Sequence, residues 1–319
     1  MKKQNFIGID GGATYIRVVI ADYDGNILSH IKYHGGAAIQ KNDNPQENMR
    51  NAIILALKQA NVHPESIIAV GAGISGYDDD EDLVWVNTLI DIEGLNCPIM
   101  YVNDAEIAHV GAFNEKSGVI AICGTGSIVF GMDKFGTKIR NYEFDDYACS
   151  AARHLTQKFI NHIANNENDL TDDALLTELI KFFDINNISE ISMLVADSKE
   201  FKRTCNPKQF GEFAKYITDY ALRGSRLAHI VCKDSADEIC RSIELVSKHF
   251  NPNIVDVALV GSVANSRYFS EYINEILSAK GYNIKHNVLL PEFGGIILAM
   301  KTSGIIVDET KLNNLRKFT

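Results

Sequence analysis

The chain lacks the features that would place it in a membrane or on nucleic acid. No stretch approaches the roughly 20 apolar residues of a membrane-spanning helix. There is no clustered Lys/Arg run, and the formal net charge of the 319 residues is −10. Negative charge disfavours binding to phosphate backbones and anionic lipids. The first apolar run, at Phe6, is too short for a signal peptide. We therefore expect a cytoplasmic protein with no nucleic-acid or membrane partner.

Cysteine is also scarce and scattered. The six cysteines are Cys97, Cys123, Cys149, Cys205, Cys232 and Cys240. No two of them form a C-x-x-C pair, and the nine histidines show no ligand spacing. These spacings exclude a zinc site of the usual pattern and a disulfide framework. We expect most of the cysteines to be buried or half-buried free thiols.

The length and composition indicate an ordinary soluble globular protein. The residues are 46% hydrophobic and 23% charged. Single hydrophobic cores stop growing near about 250–300 residues, so a chain of 319 suggests two domains. No low-complexity linker separates them, and we expect short hinges.

The most informative stretch is a glycine hairpin near the start. An apolar strand over 6–9 ends in Asp10-Gly11-Gly12, and a second apolar strand follows Thr14. The Asp24-Gly25 turn then leads to a third strand. Glycines let backbone N–H groups approach a phosphate, Thr14 adds a hydroxyl, and Asp10 could hold Mg²⁺ directly or through water. The alternative is a hairpin whose glycines serve only a tight turn.

Helices and strands then alternate. We expect a helix over 45–60 capped by Asn44, a strand over 66–73, a helix that starts in the acidic run 78–82 and reaches Ile90, a strand over 97–102 and a helix over 105–113. The order predicts an α/β layer domain.

The hairpin pattern occurs a second time. A strand over 119–123, the loop Gly124-Thr125-Gly126-Ser127, a strand over 128–132 and a strand over 137–142 repeat the order of residues 5–33. We interpret this as a structural duplication. Residues 147–250 look mostly helical. A strand over 255–260, Gly261-Ser262, a helix over 266–279, a strand over 284–290 and a helix over 291–302 complete the chain.

Three glycine loops therefore follow strands at corresponding points. We expect the two equivalent hairpins to face each other and to bind phosphates from both sides. Gly261 and Ser262 would let the backbone approach a nucleoside. Together the loops predict nucleotide binding.

These motifs carry a family resemblance. In order along the chain they are Gly8-Ile9-Asp10-Gly11-Gly12-Ala13-Thr14, Gly73-Ile74-Ser75-Gly76, Asn103-Asp104-Ala105, Gly124-Thr125-Gly126-Ser127, Val260-Gly261-Ser262-Val263 and Gly294-Gly295. The chain resembles the sugar kinase, heat-shock ATPase and actin superfamily. Within it, the chain is most similar to the N-acetylglucosamine kinase and BadF/BadG/BcrA/BcrD ATPase group.

The resemblance implies an α/β fold of two ribonuclease H-like domains, the actin-like ATPase fold, around an interdomain cleft. One lobe would be residues 1–106 plus 296–319. The other would be residues 107–295, with a helical insert through which a homodimer could form. The implied activity is transfer of the ATP γ-phosphate to an amino sugar such as N-acetylglucosamine, with Mg²⁺ as cofactor.

The resemblance also implies roles for individual residues. Asp104 matches the catalytic carboxylate and Asp10 the metal-side acid. The implied ATP-binding residues are Asp10, Gly11, Gly12, Thr14, Gly124, Thr125, Gly126, Ala221, Gly261 and Ser262. The implied sugar-side residues are Ser75, Gly76, Asn103, Asp104, Ser127 and Asp146.

Position alone also supports a chemical role for Asp104. A carboxylate at the carboxyl end of a strand, where a helix opens, points into the crevice in which α/β sheets bind ligands. It could take the proton of a hydroxyl that attacks the γ-phosphate. The alternative is an aspartate that caps the helix before Ala105.

The sugar-facing segments depart from the family. Gly35-Gly36-Ala37-Ala38 and Ile128 stand where the family has sugar-reading asparagines, and residues 141–150 replace its Gly-Trp-Gly and Asp-Glu-Gly-Ser stretch. Asp146 is either the remnant of the sugar-binding acid or an exposed aspartate at a helix start. The resemblance therefore leaves the sugar open.

Three other functions compete with the kinase. Residues 71–76 fit the G-x-G-x-x-G dinucleotide pattern, although an acidic run follows them. Cys123 beside Gly124 resembles the ATPase activators of 2-hydroxyacyl-CoA dehydratases, but a second cluster cysteine has no counterpart. A non-catalytic sugar or nucleotide sensor would also fit the altered sugar-facing loops.

Overall fold

The computed structural model describes residues 4–39, 42–190, 207–250, 255–286 and 288–318. The chain forms two compact units. Unit 1 is Met1–Lys116 with Asn287–Thr319, and unit 2 is Ser117–His286.

Each unit contains one five-stranded sheet. The strands are β1 (Asn5–Gly11), β2 (Tyr15–Asp22), β3 (Ile27–His34), β4 (Ile67–Ile74), β5 (Ile99–Asn103), β6 (Gly118–Cys123), β7 (Ser127–Met132), β8 (Lys138–Arg140), β9 (Asp256–Val260) and β10 (Asn283–Lys285). The helices are α1 (Pro45–Ala60), α2 (Leu83–Val86), α3 (Asp104–Phe113), α4 (Ala152–Ala164), α5 (Asp173–Phe182), α6 (Pro207–Leu222), α7 (Arg226–Ser247), α8 (Arg267–Ala279), α9 (Pro291–Thr302) and α10 (Glu309–Arg316).

The two sheets have the same topology. Unit 1 has the order β3-β2-β1-β4-β5, and unit 2 has the order β8-β7-β6-β9-β10. In both, the first three strands in sequence are antiparallel and the remaining two run parallel to the first. The predicted duplication and the α/β class are confirmed.

The sheet of unit 1 is buried on both faces, as expected for strands covered by helices on each side. Alternate residues of β1 enter different cores, because successive side chains point to opposite faces. Ile7 and Ile9 pack with Met49 and Ile53 of α1. Phe6 packs on the other face with Phe293 and Ile296 of α9. Helices α3 and α9 therefore cover the same face of the sheet.

The expected domain limits can be compared with the positions of α3 and α9. The limits expected at residues 106 and 295 lie within α3 and α9, and both helices belong to unit 1. Gly294 explains their close packing, since a Cβ there would lie 2.1 Å from the Ile107 carbonyl oxygen of α3.

Most predicted elements occur where the sequence places them, with four differences. The strand predicted over 137–142 ends at Arg140, and Asn141–Phe144 forms a 3-10 helix. Helix α1 spans the predicted residues and begins with Pro45, but the Asn44 side chain forms no capping hydrogen bond. The acidic run forms a short 3-10 helix, Asp80–Asp82, capped by Asp79, and α2 ends at Val86, so the helix expected to reach Ile90 is wrong. Strand β10 ends at Lys285, and the described residues up to 290 are not extended strand.

The helices of unit 2 share one core. Phe159 of α4, Phe213 of α6 and Ile239 of α7 are at most 1% exposed and pack in the same cluster as Val119 of β6. The predicted helical character of residues 147–250 is confirmed for the residues described there. Across the described ranges, no helix has both the length and the apolar character to cross a membrane.

Candidate functional site

Three strands of unit 1 end side by side. In the parallel register, Gly11 of β1 lies opposite Ile74 of β4, and Ile74 lies opposite Asn103 of β5. The Ser75 N–H donates to the Gly11 carbonyl oxygen at 3.0 Å, which joins two of the following loops. The structure therefore brings the predicted residues that follow these strands to one edge of the sheet. They are Gly12, Thr14, Ser75, Gly76 and Asp104.

Asp10 lies near this edge, on the face of the sheet that α3 and α9 cover. It follows Phe6 and Gly8 in the alternation of β1, and a Cβ at Gly8 would lie 2.1 Å from the Glu292 carbonyl oxygen of α9. Burial raises the pKa of the Asp10 carboxyl to about 7. The Arg17 guanidinium opposes this effect, while the carboxylates of Glu292 and Asp104 add to it. Asp10 is therefore a buried acid whose charged form is disfavoured by burial and by two carboxylates and favoured by Arg17.

Arg17 is a site residue that the sequence reasoning missed. It lies directly opposite Asp10 in the β1–β2 pair, and its Nη1 donates to Asp10 Oδ2 at 2.6 Å. A signal existed in the sequence: in a hairpin with a short loop, residues at equal distances from the turn pair across the strands.

The first glycine loop is held by the segment that follows β3. The Ala37 N–H donates to the Gly12 carbonyl oxygen at 3.0 Å, and the Gly35 N–H donates to the Thr14 carbonyl oxygen at 3.2 Å. A Cβ at Gly36 would lie 2.1 Å from the Ala13 carbonyl oxygen. Glycine at 36 is thus required by this close approach. The segment 35–38, where the resemblance would place a sugar-reading asparagine, packs directly on the first glycine loop.

Asn103, and not Asp104, caps helix α3. The Asn103 side chain accepts from the Ala105 N–H at 2.9 Å, and its amide donates to the Tyr77 carbonyl oxygen at 2.9 Å. Asp104 is the first helical residue and is half-buried. The interpretation of Asp104 as the capping residue is wrong.

The first two glycines of the G-x-G-x-x-G pattern serve packing, and the third, Gly76, has φ +85° in the turn after β4. Gly71 and Gly73 lie inside β4, where a Cβ would meet the Gly295 carbonyl oxygen at 2.2 Å and Ile107 Cγ2 at 2.1 Å, respectively. A dinucleotide site needs its glycines in a turn that opens a helix. Here the four-residue α2 begins only at Leu83. This argues against the dinucleotide alternative.

In unit 2, two predicted loops lie against each other. The Gly124 N–H donates to the Gly126 carbonyl oxygen at 2.9 Å, which closes a tight turn and leaves Thr125 exposed. The Val263 N–H donates to the Cys123 carbonyl oxygen at 3.0 Å. Gly261 has φ +101°, and a Cβ there would lie 2.3 Å from the same oxygen. Only glycine allows this contact, which joins Gly124–Ser127 to Gly261–Val263.

A cavity of about 240 Å³ lies beside Ser262. Its lining includes Gly211, Thr218 and Asp219 of α6 and Arg267 at the start of α8. Ala221 is 8% exposed and packs in the core cluster instead of lining the cavity. The cavity therefore lies next to the predicted nucleoside loop.

Residues 141–150, which differ from the family's sequence, lie against the second glycine loop together with the start of α4. Ser127 Oγ donates to the Ala148 carbonyl oxygen, and the Ala152 N–H donates to the Gly124 carbonyl oxygen at 2.9 Å. The Asp146 carboxylate accepts a hydrogen bond from Ser242 of α7. Asp146 lies six residues before α4, so the alternative of a helix-start aspartate is wrong.

The cysteines of the described residues are free. Cys123, Cys232 and Cys240 are buried, Cys97 is intermediate and Cys149 is exposed, which confirms the prediction for most of them. Cys205 lies outside the described residues. Burial, with the Glu238 carboxylate nearby, raises the pKa of the Cys123 thiol to about 12.

Comparisons with known proteins agree with this geometry. The model of the BadF/BadG/BcrA/BcrD ATPase family matches residues 7–299. An N-acetylmuramic acid/N-acetylglucosamine kinase from Clostridium acetobutylicum is 23% identical over 92% of this chain and 97% of its own. An N-acetyl-D-glucosamine kinase from Dictyostelium discoideum is 24% identical over 78% of this chain and 81% of its own.

A solved structure is similar over nearly the whole chain. It is a ROK family glucokinase from Streptomyces griseus, in complex with glucose and AMPPNP. Its TM-score is 0.62 at 17% identity, covering 93% of this chain and 99% of the other. The likeness shows that the fold is the two-domain actin-like ATPase fold of sugar kinases.

Proposed function

The chain belongs to the BadF/BadG/BcrA/BcrD ATPase family, and from that premise we propose that it is an ATP-dependent sugar kinase. It transfers the γ-phosphate of ATP to a hydroxyl of an amino sugar such as N-acetylglucosamine. Relatives that cover most of both chains are named as kinases of N-acetylglucosamine and N-acetylmuramic acid, which supports this substrate class.

The observation that carries the proposal is the shared edge of β1, β4 and β5. Asp104 lies at this edge, the capping of α3 falls to Asn103, and the glycine loop with Thr14 is adjacent. A carboxylate beside an anion-binding loop is what a kinase needs to activate an alcohol.

We assign Asp104 as the general base. Its carboxylate takes the proton of the sugar hydroxyl as that oxygen attacks the γ-phosphorus. The phosphate-binding residues of this proposal are Gly11, Gly12 and Thr14 of the first glycine loop and Gly124, Thr125 and Gly126 of the second. In this structure the Gly12 and Gly124 N–H groups donate to the carbonyl oxygens of Tyr15 and Gly126. In this proposal Gly261 and Ser262 lie along the nucleoside, whereas Ala221 packs in the core cluster of unit 2 and does not line the cavity.

The residues also suit a magnesium ion bound with the nucleotide. Asp10 is a buried acid on which the carboxylates of Glu292 and Asp104 act, and its cationic partner in this structure is the partly exposed Arg17. In the part of the chain that the structure describes, no group of three or more His, Cys, Asp or Glu side chains is placed to hold a metal ion. Nucleotide-bound Mg²⁺ needs only one or two carboxylates. Asp10 would hold it, and the ion would offset phosphate charge during transfer.

The sugar side is assigned to Ser75, Gly76, Asn103, Ser127 and Asp146. Asn103 is 6% exposed and its amide donates to Tyr77 and Asp78, so its contribution is to fix the start of α3. Ser127 and Asp146 have protein partners in Ala148 and Ser242. The homodimer and the cytoplasmic location stay predictions.

An assay of acceptors tests the proposal. Purified protein with Mg²⁺ and γ-labelled ATP is given N-acetylglucosamine, N-acetylmuramic acid, N-acetylmannosamine or glucose, and labelled sugar phosphate is measured. We expect transfer to at least one N-acetylated sugar to exceed transfer to glucose. ATP consumption without labelled sugar would contradict the kinase and favour the activator. Sugar binding without ATP consumption would favour the sensor.

A further inference from the structure

Arg17 and Asp10 form an ion pair inside the proposed phosphate site. Their Cα atoms are register partners in β1 and β2, so both side chains leave the same face of the sheet. Arg17 Nη1 lies 2.6 Å from Asp10 Oδ2. The Asp10 side chain is 10% exposed and the Arg17 side chain is 34% exposed. The acid is fixed in the core, whereas the guanidinium reaches it from the surface.

The surroundings of Asp10 are otherwise negative. Glu292 is fully buried on α9, and its charge and that of Asp104 both act on Asp10. His30 pairs with Glu292, with Nε2 2.7 Å from Oε1. A buried carboxylate in such a field needs a positive partner, because an uncompensated buried charge is strongly destabilising.

We propose that Arg17 is a removable counter-ion for Asp10. It neutralises the carboxylate while no nucleotide is bound, and it yields that carboxylate to the magnesium ion that arrives with ATP. The inference rests on the proposed function, in which Asp10 is the metal-side acid. Arg17 is suited to leaving because its flexible side chain is one-third exposed, and water can solvate the released guanidinium.

The proposal has a thermodynamic consequence. Two cations that compete for one carboxylate weaken each other's binding, and the coupling is reciprocal. Arg17 therefore raises the Mg²⁺ concentration needed to bind a nucleotide tightly. A variant without the guanidinium should be less stable alone, yet should need less Mg²⁺.

The test measures binding and stability without turnover. Arg17→Met removes the charge and keeps the apolar stem, and Arg50→Met is the control, since Arg50 is an exposed arginine of α1 in the same unit. The melting temperature is measured without ligand, and the affinity for ADP is measured by calorimetry across a Mg²⁺ titration. Relative to the control, we expect Arg17→Met to have a lower melting temperature. We also expect the Mg²⁺ concentration that it needs for tight ADP binding to fall by roughly 5-fold or more.

Further variants separate the possible failures. Arg17→Lys keeps a charge on a flexible stem, and we expect a Mg²⁺ requirement between wild type and Arg17→Met; this variant decides the matter if Arg17→Met does not fold. An unchanged or increased requirement in the folded variant overturns the counter-ion role.

Asp10→Asn should raise the Mg²⁺ requirement. If it does so while Arg17→Met matches wild type, only this inference fails. If Asp10→Asn has no effect, the metal role of Asp10 in the proposed function fails.

Discussion

The two glycine hairpins share a backbone plan but differ in the side chain that precedes the first glycine of each loop. In unit 1 that residue is Asp10, a buried acid paired with Arg17. In unit 2 the corresponding residue is Cys123, a thiol that is 1% exposed and whose Sγ donates to the Ser150 carbonyl oxygen at 3.2 Å. The residue opposite Cys123 is Ser127, which is uncharged.

The difference suggests a division of labour between two copies of one structure. The hairpin of unit 1 presents charge, and Asp104 adds a second carboxylate at the same edge. The hairpin of unit 2 presents an exposed turn, supported from behind by Gly261 and by residues 148–152. A duplicated fold can thus carry an acidic residue in one copy only, while both copies keep a glycine loop between their first two strands.

The largest effect on stability should come from giving unit 2 the acid of unit 1. Cys123→Asp would bury a carboxylate near the negative field of Glu238 and opposite a serine. We expect a loss of about 3–5 kcal/mol in the free energy of unfolding, measured in urea. Cys123→Ser is the control, since it adds a polar atom without charge. Equal stability of the two variants would show that position 123 tolerates charge. The contrast drawn between Asp10 and Cys123 would then be wrong.

A smaller loss should follow from removing the support of the second loop. Gly261→Ala adds a methyl group 2.3 Å from the Cys123 carbonyl oxygen at a position with φ +101°. We expect a cost of roughly 2–4 kcal/mol from strain and from the displaced loop.

Gly281→Ala is the matched control for that variant. Gly281 has φ +86° in the same unit, but a Cβ there meets nothing within 4 Å. Its cost should be only about 1–2 kcal/mol, from the left-handed backbone alone. If both variants lose equal stability in urea unfolding, the contact between Gly261 and Cys123 does not hold the loop.

Much of this architecture could be predicted from the sequence, because local signals and global fold agree. The two strand–glycine–strand patterns predicted the duplication, and Pro45 marked the start of α1 where the structure has it. The helix predicted from the acidic run to Ile90 was wrong because these carboxylates cap a 3-10 turn and do not begin a long helix. In that turn Asp79 accepts from the Glu81 N–H at 2.9 Å.

The details of the candidate site depend on contacts distant in sequence. Asn103 instead of Asp104 caps α3, which the adjacent residue types alone do not decide. The negative field at Asp10 includes Glu292, which lies nearly the whole chain away. Gly36 carries no recognisable motif, yet its missing side chain lets the segment 35–38 close on the first glycine loop.

The measurement that tests the account most directly compares two carboxylates in the first turn of α3. Asp104 and Glu106 are both half-buried there, and each is replaced by its amide. With saturating Mg²⁺, ATP and N-acetylglucosamine, or the best sugar of the acceptor assay, kcat for sugar phosphate formation is determined. We predict that Asp104→Asn lowers kcat by roughly 10²–10⁴-fold at unchanged stability, because a general base is lost. Glu106→Gln should stay near wild type. Turnover of Asp104→Asn close to that of Glu106→Gln would contradict the account.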